Sequence, residues 1–101
     1  MRMLFKVKLP PKEFNSRVID GSVGRKIKQI IDEIKPEMVY FTEYCGHRGA
    51  IMIVDVAEPS DVPRIAEPWF LIFNAEVEFR VAMTPEELEK AGLDKLGKKW
   101  V

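Results

Sequence analysis

The sequence predicts an α+β domain: four antiparallel strands with two main helices on one face and a short helix after the last strand. Three observations predict it. Several stretches alternate apolar and polar residues with period two, and two others carry apolar residues at helical spacing. A hairpin signal in the middle of the chain then fixes the order as β-α-β-β-α-β.

The elements follow in order. Met3, Phe5, Val7 and Leu9 alternate with Leu4, Lys6 and Lys8, a strand with one buried face. Pro10-Pro11 ends it, because neither proline donates to a ladder. Phe14 and Val18 sit at i and i+4, so a turn or two of helix opened by Pro11 is expected over Lys12 to Asp20. Gly21 interrupts. From Ser22 onward, Val23, Ile27, Ile30, Ile31 and Ile34 form one helical stripe. Asp20 or Ser22 is placed to cap that helix, and Lys35-Pro36 closes it.

Met38 to Val56, MVYFTEYCGHRGAIMIVDV, reads as the hairpin. Gly46 takes the first central position of a type II′ turn, which pairs Cys45 with Arg48, Phe41 with Met52 and Val39 with Val54. Ala50 to Val56 is apolar on both sides, as in a central strand. Ser60 or Asp61 then caps a helix bearing Val62, Ile65, Ala66, Trp69 and Phe73 on one side. Pro68 lies within it and clashes with the carbonyl of Arg64 at ~3 kcal/mol, which predicts a kink or a short helix restarting at Glu67-Pro68.

Ala75, Val77, Phe79, Val81 and Met83 alternate with Glu76, Glu78, Arg80 and Ala82, the fourth strand. Thr84-Pro85-Glu86-Glu87 is a capping box with proline at the first helical position, and Gly92 stops a helix over Pro85 to Ala91. Residues 1–93 are expected to form one domain, with 94–101 as a tail held only where Leu96 and Trp100 anchor it.

This order is the ferredoxin-like split βαβ arrangement, whose strands lie in the order 4-1-3-2. The helix-covered face is then expected to hold Met3, Phe5, Val7, Val39, Phe41, Met52, Val54, Val77, Phe79 and Val81. The second face holds Leu4, Lys6, Lys8, Tyr40, Thr42, Tyr44, Ile51, Ile53, Asp55, Glu76, Glu78 and Arg80. A bare face with two tyrosines and two isoleucines is a patch that monomers usually cover. A partner sheet across a two-fold axis is the expected cover.

Composition narrows the function classes. Sixteen basic and sixteen acidic residues cancel, so the basic excess usual in nucleic-acid binders is missing. The same balance removes a repulsive barrier to self-association. A 47% hydrophobic and 32% charged composition is that of a globular chain, not a disordered one. A single cysteine makes no intrachain disulfide and requires no oxidising compartment. No apolar run approaches the ~18 residues of a membrane span. The opening MRMLFKVKLPPKEF alternates instead of forming a signal-peptide core, so a cytoplasmic location is expected.

The element order and the mixed second face resemble the dimeric α+β barrel superfamily, which includes muconolactone isomerase-like and antibiotic-biosynthesis-monooxygenase-like proteins. The segments FTEYCGHRGAIMIVDV and AEPWFLIFNAEVEFRVAMTPEELEKAGL resemble a family of small prokaryotic proteins of unassigned function within it. The resemblance runs from Met3 to about Met83 and implies a homodimer whose sheets enclose a ligand-sized cavity. Cofactor-free monooxygenases of this fold often use Asn, Trp or His in the cavity, and the candidates here are His47, in the hairpin turn, and Trp69. No universal catalytic residue carries over, and fold alone does not deliver function.

The individual residues each have two readings. Asp55, expected among Lys6 or Lys8 and Tyr40, is a cavity base or a strand-end ion pair. Glu76, Glu78 and Arg80 opposite Lys6 and Lys8 bind a polar ligand or form a cross-strand ladder. Cys45-Gly46-His47-Arg48 reads as a turn, since residues two apart across it diverge instead of meeting as nucleophile and base. Trp69 is a core anchor or a cavity wall positioned by Pro68. Motifs for phosphate loops, HExxH, GxSxG and CxxC are absent, and one Cys with one His completes no zinc site within a chain.

The expected function is therefore binding of a small organic ligand in an inter-sheet cavity by Tyr40, Thr42, Tyr44, Ile53, Trp69 and Arg80. The alternative is a cofactor-free monooxygenase- or isomerase-type enzyme with Asp55 or His47 as base. Neither a cofactor nor a metal is expected, and the only protein partner expected is a second copy of the chain.

Overall fold

The alternating apolar residues of the first strand turn one face to the core, and the strand pairs on both sides. In the computed structural model, which describes residues 1–101, this is β1 (Arg2–Leu9). It is followed by α1 (Pro11–Ile19), α2 (Val23–Ile34), β2 (Met38–Tyr44), β3 (His47–Asp55), α3 (Asp61–Phe73), β4 (Glu76–Val81), α4 (Pro85–Glu89) and α5 (Leu93–Lys99). The strands lie in the order β2-β3-β1-β4 and every neighbouring pair is antiparallel, so the fold is the predicted ferredoxin-like α+β sandwich. No helix is long and apolar enough to cross a membrane.

The hairpin turns one step earlier than its sequence suggests. Tyr44 pairs with His47, leaving only Cys45 and Gly46 in the loop, at φ 52° and 78°. Two successive positive φ values make a type I′ turn, whose twist suits antiparallel strands, instead of the predicted II′ turn. The backbone N–H of Gly46 donates to the Glu43 carboxylate and holds the turn closed. Val39 consequently faces Met52 and Phe41 faces Ala50, two residues from the predicted register. A shift of two returns each side chain to the same face, so the face assignment survives.

The core sits between the sheet and the helices. Phe5, Val7, Met52 and Val54 from the sheet pack against Ile30 and Ile34 of α2 and Ile65, Trp69 and Phe73 of α3. Phe41, Phe79 and Val81 lie on the same face but remain about half exposed, because they belong to the edge strands. The helix α3 runs without a break through Pro68, so the predicted restart at Glu67 does not occur. Burying a large apolar side chain stabilises by ~1.5–3 kcal/mol, and the stripe of Ile65, Trp69 and Phe73 offsets the ~3 kcal/mol cost of one interior proline.

After β4 the chain leaves the body. Thr84 and Glu87 form the predicted capping box, with Glu87 N–H donating to Thr84 Oγ1 at 3.1 Å and Thr84 N–H donating to Glu87 Oε1 at 2.9 Å. Arg2 pairs with the same carboxylate. The Thr84 backbone bond first, and then Arg2, hold the Glu87 carboxyl down at about 2. Gly92 takes φ 67° and starts α5, which covers most of the expected tail. No residue of α4 or α5 is buried, and Leu96 and Trp100 do not anchor the segment. The radius of gyration is 16.9 Å, where a compact chain of this length has about 13 Å.

Candidate functional site

The open face of the sheet is built in rows, each crossing the strands in the order β2, β3, β1, β4. One row is Met38, Ile53, Leu4 and Arg80. The next is Tyr40, Ile51, Lys6 and Glu78, and the third is Thr42, Gly49, Lys8 and Glu76. Tyr44 and His47 close the face at the hairpin end. The β2–β3 side is therefore aromatic and aliphatic, and the β1–β4 side is charged. Tyr40 is 66% exposed, while Leu4, Ile51 and Ile53 are half-buried by their neighbours.

Gly49 gives this surface its shape. A Cβ there would lie 2.8 Å from Tyr44 Cβ and 2.9 Å from the Val7 carbonyl oxygen, so only glycine fits the close approach. The absence of a side chain leaves room for Tyr44 to lie across the sheet. Its ring passes beneath the Lys6 ammonium, 4.7 Å from the ring centroid, at cation–π distance. Its hydroxyl donates to Glu78 Oε1 on the far edge strand at 3.1 Å. Arg80 Nη2 donates to the other Glu78 oxygen at 2.8 Å.

Tyr44, Lys6, Glu78 and Arg80 thus form one polar cluster on three strands. The hydrogen bond to Glu78, followed by desolvation and the Glu78 charge, raises the Tyr44 phenol above its ordinary value, so it stays a donor. The predicted cross-strand ladder forms in part: Lys8 Nζ lies 3.5 Å from Glu76 Oε2, but Lys6 turns to the tyrosine ring instead of to Glu78.

The other predicted residues divide by position. Tyr40, Thr42, Tyr44, Ile53 and Arg80 share the open face. His47 is the first residue of β3 and not part of the turn; it lies half-buried beside Tyr44, with Nδ1 buried and without a hydrogen-bond partner. Asp55 is not among Lys6, Lys8 and Tyr40. It stands at the far end of β3, in register with Arg2, and Oδ1 accepts from the Met1 amino group at 3.0 Å. Trp69 is fully buried in the helix–sheet core, stacked on Phe73 with centroids 6.1 Å apart, and does not reach the open face. As the largest apolar residue on the α3 stripe it packs inward. The sequence already sets Glu78 and Arg80 opposite Lys6 and places Tyr44 on the same face; the structure adds the contacts by which Tyr44 joins them. Gly49, diagonal to Tyr44 across the β2–β3 pair, is what permits that close approach.

No family model and no curated protein matches the chain. Among solved structures it is similar to 5-chloro-2-hydroxyhydroquinone dehydrochlorinase (TftG) from Burkholderia phenoliruptrix AC1100, in complex with 2,5-dihydroxybenzoquinone. The two are 18% identical, superpose with a TM-score of 0.59, and the match covers 86% of this chain and 99% of that one. At that identity the likeness is one of fold: both chains share the α+β architecture on which the open sheet face is built.

Proposed function

We propose that the chain forms a homodimer in which two open sheet faces meet across a two-fold axis and enclose a cavity for a small organic ligand. The observation that carries this reading is the division of the open face into an apolar half and a polar cluster. Leu4, Tyr40, Ile51 and Ile53 supply the apolar wall, and Tyr44, Lys6, Glu78 and Arg80 supply a few oriented polar groups. Small-molecule sites are built in that proportion. A ligand with an apolar ring and a hydroxyl, carbonyl or carboxylate substituent matches both halves. The similar fold of TftG, whose structure holds a dihydroxybenzoquinone, supports a ligand of that size and kind.

A catalytic reading of the same cavity has one observation in its favour. His47 lies at its edge beside Tyr44, and its buried Nδ1 makes no hydrogen bond within the chain. Asp55 is engaged by the Met1 amino group at the far end of β3.

Sedimentation equilibrium, followed by native mass spectrometry, tests the proposal. The expected result is a dimer at micromolar concentration that retains a small molecule of defined mass. Tyr40→Asp, which sets two carboxylates into the apolar wall, is expected to give monomers without that mass. A wild-type chain that stays monomeric would sink the reading.

A further inference from the structure

The C-terminal arm and one groove of the body are both apolar and both unfilled. The groove, about 420 Å³, opens beside the N-terminal turn of α3 and is lined chiefly by Met1, Met3, Val56, Val62, Pro63 and Phe79. Phe79, on the edge strand β4, is left about half exposed there. The arm presents Leu88, Leu93, Leu96 and Trp100, of which Trp100 is 75% exposed. Within its own chain this tryptophan, at the end of a short helix with no buried residue, meets only the Lys99 ammonium, 5.3 Å from its ring centroid. Burying such a ring removes roughly 150–250 Å² from water.

The arm is kept from its own groove. The Thr84–Glu87 capping box and the Arg2–Glu87 ion pair fix the direction in which α4 leaves the sheet. That direction stretches the molecule to 59 Å in a body only 28 by 19 Å across. Charge adds a second match. The last turn of α5 carries Lys98 and Lys99, while the groove is rimmed by Glu58, whose carboxylate takes part in no ion pair. The neighbouring Asp61 is already engaged by Arg64 at 3.6 Å.

From this match of an unfilled groove, an unburied arm and complementary charge, we infer that α5 of one chain docks in the groove of a second copy. Trp100 enters between Val62 and Phe79, and Lys98 or Lys99 meets Glu58. The exchange is reciprocal, as two-fold symmetry requires. It rests on the homodimer reading above but uses the helix-side groove at the β4 edge, not the open sheet face.

Two full-length chains test it, each with Cys45→Ser, one bearing Trp100→Cys and the other Pro63→Cys. Oxidation of the mixture, but of neither chain alone, is expected to yield a disulfide-linked dimer. Separately, Trp100→Glu is expected to raise the dimer dissociation constant by about tenfold or more, equivalent to ~1.4 kcal/mol. A mixture that yields no disulfide between the two chains would overturn the exchange. So would a dimer whose affinity Trp100→Glu leaves unchanged, and that result would leave the face-to-face reading standing. A chain that is monomeric throughout would overturn both.

Discussion

The two faces of one sheet have opposite fates, although the same strands build both. On the helix side, Phe5 and Met52 are closed off completely by α2 and α3, and polar groups are all but absent. On the open side, one residue further along the same strands, Lys6 and Ile51 share a row with an exposed tyrosine and a glutamate. The centre of the helix side is finished within one chain. The open side is internally hydrogen-bonded at its charged half and bare at its apolar half, and that contrast separates residues that stabilise the fold from residues free to serve a ligand or a partner.

The largest test of the contrast is on the helix side. Trp69→Ala removes the largest buried side chain and is expected to cost about 3–5 kcal/mol of unfolding free energy, measured by denaturant titration. Truncating an exposed open-face residue such as Tyr40 is expected to change monomer stability by no more than about 0.5 kcal/mol. Equal losses at the two positions would erase the distinction.

Gly49→Ala tests the boundary between the faces with an intermediate effect. The new methyl would meet the Val7 carbonyl and the Tyr44 Cβ inside 3 Å, and the backbone contact cannot be relieved by a rotamer change. Overpacking of this kind costs about 1–3 kcal/mol. The accompanying sign is local: the amide resonances of Lys6, Tyr44 and Glu78 should shift as the ring is lifted. A variant with wild-type stability and unmoved resonances would show that the close approach does not shape the site.

Much of the fold was legible in the residues because side-chain parity is robust. Reading Gly46 as the first turn position misplaced the register by two, yet Val39 and Phe41 stayed on the helix side and Tyr40 and Thr42 on the other. What parity could not supply was position along the strands. Asp55 shares a face with Tyr40, but the register sets it opposite Arg2 at the end of the sheet. The Tyr44–Glu78 bond joins residues 34 apart on strands that are not neighbours, so no local pattern announces it. Trp69 was legible as part of a helical stripe, but only the packing decides that it belongs to the core.

The smallest expected effect is also the most specific to the open face. With Tyr40→Phe in the background, Tyr44 is the only tyrosine, and its ionisation is read directly by tyrosinate absorbance. The bond to Glu78 raises its pKa in the folded chain above the ordinary 10.0. Its contribution to stability is therefore fully present below 10.0 and is lost as the pH rises through the folded value. Glu78→Ala removes the acceptor and the charge together, and the titration should fall back toward 10.0. Glu78→Gln keeps an acceptor without the charge and should fall only part of the way, since the hydrogen bond outranks the Coulomb effect. If a second sheet covers the face, desolvation adds to the shift, and the Tyr44 titration in the Tyr40→Phe chain should move upward with protein concentration. A Tyr44 titration indifferent to both Glu78 variants would mean that the tyrosine does not span the sheet, and the polar half of the cavity would lose its organising contact.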